Sequence, residues 1–192
     1  MPYVSLNGNE EQRLIKRLQE GDKTAAKEFY TRYADSLTGV CSRYIADEED
    51  VKDVMQNALV HIFTHIADFE YRKEGSLLAW TKKVVVNESL KFLRSRKQHE
   101  ELQENYDAVD EVDDDTLSVS DIPPDMIRQL LNRLPTGYRT VLNLFVFEGM
   151  SHQEIARLLG IKAASSASQL SRAKSLLAKI IKKYNDNHSP RR

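Results

Sequence analysis

Apolar residues recur at intervals of three and four along most of this chain, which is the period of an amphipathic helix. In the first half the pattern covers residues 26–37 and residues 51–66. A third helix is predicted to begin after Gly75 and to run toward Arg96. The three valines at 84–86 would suit a strand, but the segment lacks alternation and both flanks are helical, so we assign it to the helix.

The second half has the same period but is divided by helix-breaking residues. An apolar face over residues 127–134 ends at Pro135, and another helix is predicted over residues 138–148, before Gly149. The sequence has no alternating strand pair and no internal repeat. The pattern therefore predicts an all-α fold.

Residues 151–181 carry the strongest structural signature in the chain. Ser151 and Glu154 have the spacing of a capping box, in which each side chain satisfies an N–H group at a helix start. Gly160 can adopt the positive φ that a sharp turn requires, and a long last helix is predicted from about Ala164. This arrangement predicts a helix-turn-helix, with an ordinary helical hairpin as the alternative. A helix-turn-helix would present these polar residues to the major groove: Ser165, Ser168, Gln169 and Arg172.

The net charge of −1 hides a strong segregation along the chain. Residues 1–99 hold 16 Lys/Arg and 15 Asp/Glu (net +1), residues 100–125 hold no Lys/Arg and 11 Asp/Glu (net −11), and residues 126–192 hold 12 and 3 (net +9). A compact cationic segment favours a polyanion such as nucleic acid. We predict two small helical domains, 1–99 and 126–192, joined by an acidic flexible linker over 100–125. The linker is either a solvated tether or a segment that shields a basic surface or mimics nucleic acid.

A second cationic surface is predicted on the helix after Gly75. Four residues spaced by four, four and three positions share one face of it: Lys83, Asn87, Lys91 and Arg94. A basic face with an amide and nearby aromatic rings suits tracking of a DNA backbone and stacking on unpaired bases. A solvated cationic face is the alternative.

Signals for catalysis are weak. His61 and His65 have the i, i+4 spacing of a metal pair, but no Glu lies between them and no third ligand is evident, so surface or partly buried histidines are expected. The single cysteine, Cys41, excludes an internal disulfide, fits a reducing compartment and is expected in the core. No apolar run approaches the roughly 20 residues of a membrane span. We expect a cytoplasmic protein with no cofactor, no metal and no direct membrane insertion.

Taken together, these motifs resemble those of the extracytoplasmic-function sigma factors, the small two-domain sigma subunits of bacterial RNA polymerase. Residues 49–56 resemble the family's polymerase-binding helix, although a merely exposed helix face has the same composition. Residues 75–96 resemble the part that recognises and melts the −10 promoter element. Residues 134–174 resemble the −35-binding domain, and the form of residues 168–174 is similar to members from Bacteroidetes-like bacteria.

The resemblance implies roles for individual residues. The polymerase-binding residues would be Asp50, Asp53, Gln56 and Asn57. Those at the −10 element, where residues 69–76 would form a pocket for a flipped-out base, would be Phe69, Tyr71, Gly75, Ser76, Trp80, Lys83, Asn87, Lys91 and Arg94. Those at the −35 element would be Arg139, Ser151, Ser165, Ser168, Gln169, Ser171, Arg172 and Lys174. Ser166 and Ala167 replace bulkier and basic residues common in the family, so fewer base-specific contacts are expected there.

The resemblance also implies a function. It implies a specificity subunit rather than an enzyme, with a sigma domain 2 and a sigma domain 4 that bind core RNA polymerase and direct initiation at promoters. The implied partners are the large polymerase subunits, promoter DNA and a membrane-linked anti-sigma factor. Two other classes stay open here. A stand-alone regulator would use the helix-turn-helix for operator binding and residues 1–99 for dimerisation or sensing, and a helical-bundle enzyme would use His61 and His65.

Overall fold

The computed structural model of this protein describes residues 7–99 and 123–188, without the side chains of residues 97–99, 124–125 and 187–188. The chain divides into two compact units, with the boundary between Glu101 and Leu102. Every regular element in the described ranges is helical, which confirms the all-α prediction. The predicted linker lies outside the described residues except for 123–125, so the domain boundaries given above stay predictions.

The described part of the N-terminal unit consists of helices joined by short connections. They are α1 (Gly8–Gln19), α2 (Lys23–Cys41), α3 (Glu48–His65), a 3₁₀ turn (Ile66–Asp68) and α4 (Ser76–His99). The side chain of Asp47 accepts hydrogen bonds from the backbone N–H groups of Glu49 and Asp50, both at 3.0 Å. The start of α3 in the acidic run is therefore confirmed, as is the start of α4 directly after Gly75.

Helix α1 is absent from the sequence prediction. Its first turn is closed by a capping box, in which Asn7 Oδ1 accepts from the Glu10 N–H at 3.0 Å and Glu10 Oε2 accepts from the Asn7 N–H at 3.3 Å. Its apolar side chains are buried: Leu14, Ile15 and Leu18. The sequence does contain a signal for this helix: an Asn-x-x-Glu capping box followed by apolar residues at helical spacing.

The core of the N-terminal unit lies where α2, α3 and α4 pack against one another. From α2 come Phe29 and Tyr33, whose ring centroids are 5.0 Å apart, and α3 and α4 contribute Ile62 and Val85. All four side chains are fully buried or nearly so. Their burial supplies the main stabilisation of this unit, because removal of apolar surface from water is the dominant favourable term in folding.

The members of the predicted apolar stripes differ in how deeply they are buried. All three valines at 84–86 are buried inside α4, because this helix packs against both α2 and α3 and has a wide apolar face. Tyr30 and Phe63, which fit the predicted apolar stripes, are instead 54% and 37% exposed. They lie at the edges of their stripes and reach solvent, although the Phe63 ring also packs edge-on against Phe29 of α2, with centroids 5.6 Å apart.

The C-terminal unit is a group of helices centred on the last one. The helices are α5 (Pro124–Leu131), α6 (Thr136–Val146), α7 (His152–Leu159) and α8 (Ala163–His188). Helix α6 begins and ends two residues earlier than the predicted range of 138–148. It begins directly after Pro135, and it ends where the N–H groups of Phe147 and Glu148 both turn back to the carbonyl of Asn143.

The helix-turn-helix prediction is confirmed by α7 and α8. Ser151 and Glu154 form the expected capping box at the start of α7. Gly160 ends this helix in the left-handed conformation, with φ of 69°, where a side chain would be strained. Ile155 of α7 and Ala173 of α8 are fully buried, so the two helices share a close-packed apolar contact region.

Candidate nucleic-acid interface

The N-terminal half of α8 presents most of its predicted DNA-contacting side chains to solvent. Four of them are exposed: Ser168, Ser171, Arg172 and Lys174. Ser165 and Gln169 are half-buried, and the Gln169 Oε1 atom lies 3.7 Å from the position that a Cβ would take at Gly137 in α6. The exposed residues form a polar, cationic face of the kind that enters a major groove.

Ser166 lies in the interior of the C-terminal unit, and not on the DNA-contacting face of α8 that the family resemblance implies. It is fully buried, and its hydroxyl lies 3.0 Å from Nδ1 of His152 in α7. The His152 ring also stacks on Phe145 of α6, with ring centroids 4.8 Å apart. Because Ser166 faces the interior, its small size affects how α7 packs on α8 and does not reduce the readout of bases.

Arg139, a member of the predicted −35 set, is buried rather than exposed. Its side chain is 5% exposed, and its Nη1 donates a hydrogen bond to the backbone carbonyl of Asn132 at 3.1 Å. Burial lowers the pKa of this guanidinium from its usual value. A buried guanidinium that links α6 to the end of α5 stabilises the unit, so we remove Arg139 from the DNA-contacting residues.

Ser151 is exposed, but its hydroxyl is committed to the start of α7. It donates to Glu154 Oε2 at 2.7 Å, and the Ser151 N–H donates to the same oxygen at 2.8 Å. These two hydrogen bonds, the side-chain one first, hold the pKa of the Glu154 carboxyl below its usual value. The helix start that would point toward DNA is therefore ordered before any ligand arrives.

In the N-terminal unit, the cationic face of α4 is present as the spacing predicts. Its four residues are all exposed: Lys83, Asn87, Lys91 and Arg94. Lys91 Nζ lies 3.7 Å from Oε2 of Glu88, which is largely buried at the edge of this face. Because Lys91 is exposed and this contact is long, the ion pair contributes little to stability, so Lys91 stays available to an anionic ligand.

The predicted base pocket begins between the 3₁₀ turn and α4. Phe69 and Trp80 pack together with ring centroids 5.0 Å apart, and both are half-buried. Tyr71 is also half-buried, and its hydroxyl lies 2.8 Å from the position that a Cβ would take at Gly8. Gly75 ends the segment with φ of 81°, which favours glycine. Phe69 and Trp80 are thus placed together near the start of α4, while the Tyr71 hydroxyl lies beside α1.

Two polar residues at this site are absent from the sequence prediction. Glu11, which is 1% exposed, accepts hydrogen bonds from the backbone N–H groups of Gly75 and Leu77 at 2.7 and 2.8 Å. Gln19 donates from Nε2 to the carbonyls of Ile66 and Phe69 at 3.1 and 2.9 Å. Both come from α1 and contact residues 47 to 66 positions away, so local sequence patterns carry no signal for these contacts.

The polymerase-binding prediction falls on a continuous face of α3. Asp53, Gln56 and Asn57 are exposed on it. Asp50 is half-buried, and its carboxylate accepts a hydrogen bond from the guanidinium of Arg96 in α4. Exposed apolar side chains extend this face toward the end of the helix: Val60 at 62% and Phe63 at 37%.

His61 and His65 pack against each other, and Cys41 is shielded from solvent. The rings of His61 and His65 stack with centroids 4.3 Å apart, and His61 Nδ1 is 3.4 Å from Oε1 of Glu88. In residues 7–99 and 123–188, no three His, Cys, Asp or Glu side chains are grouped closely enough to hold a metal ion. Cys41 is buried, and burial raises the pKa of its thiol to about 11.

None of the helices in residues 7–99 and 123–188 is both long enough and apolar enough to cross a bilayer.

Comparison with known proteins identifies the family. The family described as Sigma-70 region 2 matches residues 29–99, and the one described as Sigma-70, region 4 matches residues 125–177. The chain belongs to the sigma-70 family. Within that family it is an extracytoplasmic-function (ECF) sigma factor, and such a factor is the specificity subunit that directs RNA polymerase to initiate transcription at promoters. The two matches cover most of α2 through α4, and α5 to the first half of α8, so α1 lies outside both.

Individual relatives of this sigma factor span nearly the same length. It is 27% identical over 180 residues to the ECF RNA polymerase sigma-E factor of Haemophilus influenzae, covering 87% of this chain and 93% of that one. It is 24% identical over 187 residues to the RNA polymerase sigma-H factor of Pseudomonas aeruginosa, covering 92% and 96%. Among solved structures, it matches the sigma factor RpoE in complex with the anti-sigma factor NepR from Bartonella quintana, at 20% identity and a TM-score of 0.48, covering 81% and 96%.

Proposed function

We propose that this sigma factor binds core RNA polymerase through the exposed face of α3 and contacts promoter DNA through one cationic helix face in each unit. The observation that carries the proposal is the exposure of these two faces, on α4 and α8, in the units that match regions 2 and 4. The polymerase-binding residues are Asp50, Asp53, Gln56 and Asn57. The −35 contacts are Ser151, Ser165, Ser168, Gln169, Ser171, Arg172 and Lys174.

At the −10 element the proposal is capture of one unpaired base. Extrusion of a base from a duplex costs a few kcal/mol, and stacking together with contacts to the backbone offsets that cost. Phe69, Tyr71 and Trp80 supply aromatic surface, and Asn87 supplies an amide that can hydrogen-bond to a base edge. Lys83, Lys91 and Arg94 lie on the same face of α4 and neutralise phosphates of the unpaired strand, while Gly75 and Ser76 shape the end of the pocket.

The two DNA-binding units need a third body to set their spacing. The 26 residues 100–125 reach at most about 90 Å when extended. A flexible Gly-rich coil of 26 residues averages about 25–30 Å, and repulsion among the 11 acidic side chains of this segment would lengthen that average without fixing one value. The −35 and −10 elements are separated by about two helical turns of DNA, or roughly 70 Å. A tether with these properties cannot impose that separation, so core polymerase must hold the two units in register.

In the cell, we place this protein in the cytoplasm as a dissociable subunit that has no cofactor and catalyses no reaction of its own. Its activity is restrained by an anti-sigma factor linked to the membrane. Support for that partner comes from the exposed apolar residues Val60 and Phe63, which continue the polymerase-binding face of α3 and which a competing protein would cover.

The experiment is in vitro transcription on sheared genomic DNA of the source organism. Purified core polymerase transcribes this template with and without the protein, and sequencing of RNA 5′ ends maps the start sites. We expect a set of start sites that depend on the protein and share sequence elements near −10 and −35. Absence of any protein-dependent start site, together with absence of binding to core polymerase, would refute the proposal and favour a stand-alone regulator.

A further inference from the structure

The segment between the 3₁₀ turn and α4, residues 69–75, has almost no regular backbone structure of its own. We call it the 69–75 loop. Only its last residues turn into α4, through hydrogen bonds from the Ser76 N–H to the carbonyl of Lys73 and from the Ala79 N–H to the carbonyl of Gly75. Something outside the loop must therefore fix its conformation, because a solvated segment with few internal bonds samples many conformations.

The beginning of the loop is attached to the end of α1. The side-chain amide of Gln19 donates both of its N–H groups to backbone carbonyls, to Ile66 at 3.1 Å and to Phe69 at 2.9 Å. Ile66 is the first residue of the 3₁₀ turn and Phe69 is the residue that follows it, so the two hydrogen bonds span the point where the chain leaves regular structure. Phe69, whose ring packs on Trp80, is thus held from both its backbone and its side chain.

The end of the loop is attached to the start of α1. Both oxygens of the Glu11 carboxylate are used, Oε2 by the Gly75 N–H and Oε1 by the Leu77 N–H. A helix start usually receives such acceptors from a residue next to it in sequence. Here the acceptor comes from 64 residues away, so the start of α4 and the left-handed turn at Gly75 are fixed relative to α1.

The middle of the loop also contacts α1. The Tyr71 hydroxyl lies 2.8 Å from the position that a Cβ would take at Gly8, so a larger residue in the first turn of the helix would displace the tyrosine side chain. Contacts from Gly8, Glu11 and Gln19 therefore span the whole length of α1 and the whole length of the loop. This pattern differs from a single packing contact, which would hold one point and leave the rest free.

We infer that α1 preorganises the 69–75 loop for base capture, and that Glu11 and Gln19 are positioning residues for promoter melting. The inference rests on the proposed role of the loop at the −10 element. The loop then loses its conformational entropy when the protein folds. Binding of the extruded base does not have to order the loop again, so the affinity for that base is higher. Since α1 lies outside the matched region 2, this role is not part of that match.

The test uses holoenzymes made with the full-length protein and two variants, Glu11→Gln and Gln19→Leu. Glu11→Gln replaces one carboxylate oxygen by an NH₂ group that cannot accept from a backbone N–H. The matched control is Glu10→Gln. Glu10 is the adjacent exposed residue in α1, and its carboxylate accepts a hydrogen bond from the Asn7 N–H rather than from the loop. The probe is a labelled single-stranded oligonucleotide with the non-template −10 sequence of a promoter mapped by transcription.

We expect Glu11→Gln to weaken binding of this oligonucleotide by about tenfold, the size expected for hydrogen bonds to a charged group, and to leave affinity for core polymerase unchanged. Gln19→Leu should act in the same direction, and Glu10→Gln should bind as the unaltered protein does. Trp80 is the single tryptophan of this chain and contacts Phe69, so its emission, measured in the protein without core polymerase, should shift in both loop variants and stay constant in the control.

Other outcomes decide against the inference or against the proposed function separately. Unaltered oligonucleotide affinity and unaltered Trp80 emission in both loop variants would overturn the inference and leave the function intact. Equal losses of oligonucleotide and polymerase binding would also overturn it, because they indicate a general loss of folding. If Glu11→Gln lowers the helix content, Gln19→Leu alone decides, since Gln19 is exposed. Failure of the unaltered holoenzyme to bind the oligonucleotide would instead refute the proposed role of the loop.

Discussion

The imidazole Nδ1 of His152 and the hydroxyl of Ser166 lie 3.0 Å apart and join the two helices of the helix-turn-helix. Ser166 is fully buried and His152 is half-buried, so this hydrogen bond is partly shielded from water. A bond between the two helices helps to fix how α8 is oriented on α7, and through that orientation which side chains of α8 face outward. Ser166 is therefore a structural residue beside the exposed Ser168, two positions along the same helix.

We expect Ser166→Ala to destabilise the C-terminal unit by about 1–2 kcal/mol, because it leaves His152 without a buried hydrogen-bond partner. Urea unfolding followed by circular dichroism measures this change. Tryptophan fluorescence reports only on the N-terminal unit, since Trp80 is the single tryptophan. Ser168→Ala is the matched control and should leave the free energy of unfolding unchanged. Equal destabilisation by the two variants would contradict the assignment.

Arg139 and Arg172, the two arginines predicted to contact the −35 element, should respond differently to substitution by alanine. Arg172 is exposed on α8, so Arg172→Ala should weaken promoter binding by holoenzyme and reduce the slope of log K against log[salt] by about one. Lys183→Ala, a change of equal charge farther along α8, is the control and should leave that slope nearly unchanged. A defect confined to the −10 element would contradict the role of Arg172.

Arg139→Ala should instead lower stability, because the guanidinium that bonds to the Asn132 carbonyl is buried. Loss of a buried, bonded side chain of this size is expected to cost about 1–3 kcal/mol. Circular dichroism in urea again measures the effect. A variant that unfolds as the unaltered protein does, yet loses −35 binding, would return Arg139 to the DNA-contacting residues.

The contrast between Arg139 and Arg172 shows what sequence alone can predict here. Helical period, the capping box and the turn glycine predict the helices and the helix-turn-helix, because each is a local signal. Which arginine faces solvent depends on how α5, α6 and α8 pack, and neighbouring residues in the sequence do not carry that information. The same limit explains Glu11, whose partners at Gly75 and Leu77 are distant in the chain.

Asn87 and Asp53 should separate DNA contact from polymerase contact. Both are exposed, on α4 and α3 respectively, so neither substitution should alter folding. Asn87→Ala should reduce initiation about tenfold, the range of one lost base contact, with unchanged affinity for core polymerase. Asp53→Ala should reduce core affinity about fivefold or more and leave binding of the −10 oligonucleotide by saturated holoenzyme unchanged. Equal losses of both activities in either variant would refute its assigned role.

Cys41 offers a chemical probe of the N-terminal core. Burial raises the pKa of its thiol to about 11, so at mildly alkaline pH the folded protein holds it as the unreactive thiol. We expect a disulfide reagent to leave Cys41 unmodified in the native protein and to modify one thiol per chain once urea unfolds the N-terminal unit. Rapid modification of the native protein would contradict the packing of α2 against α4.

The central claim is that the two DNA-binding units act together only when core polymerase holds them. The most direct measurement is fluorescence anisotropy of a labelled duplex promoter titrated with the protein alone, with core polymerase alone and with both. We expect tight, sequence-selective binding only with both present, and weak, salt-sensitive, unselective binding by the protein alone. Tight and selective binding by the protein alone, unaffected by core polymerase, would contradict the account.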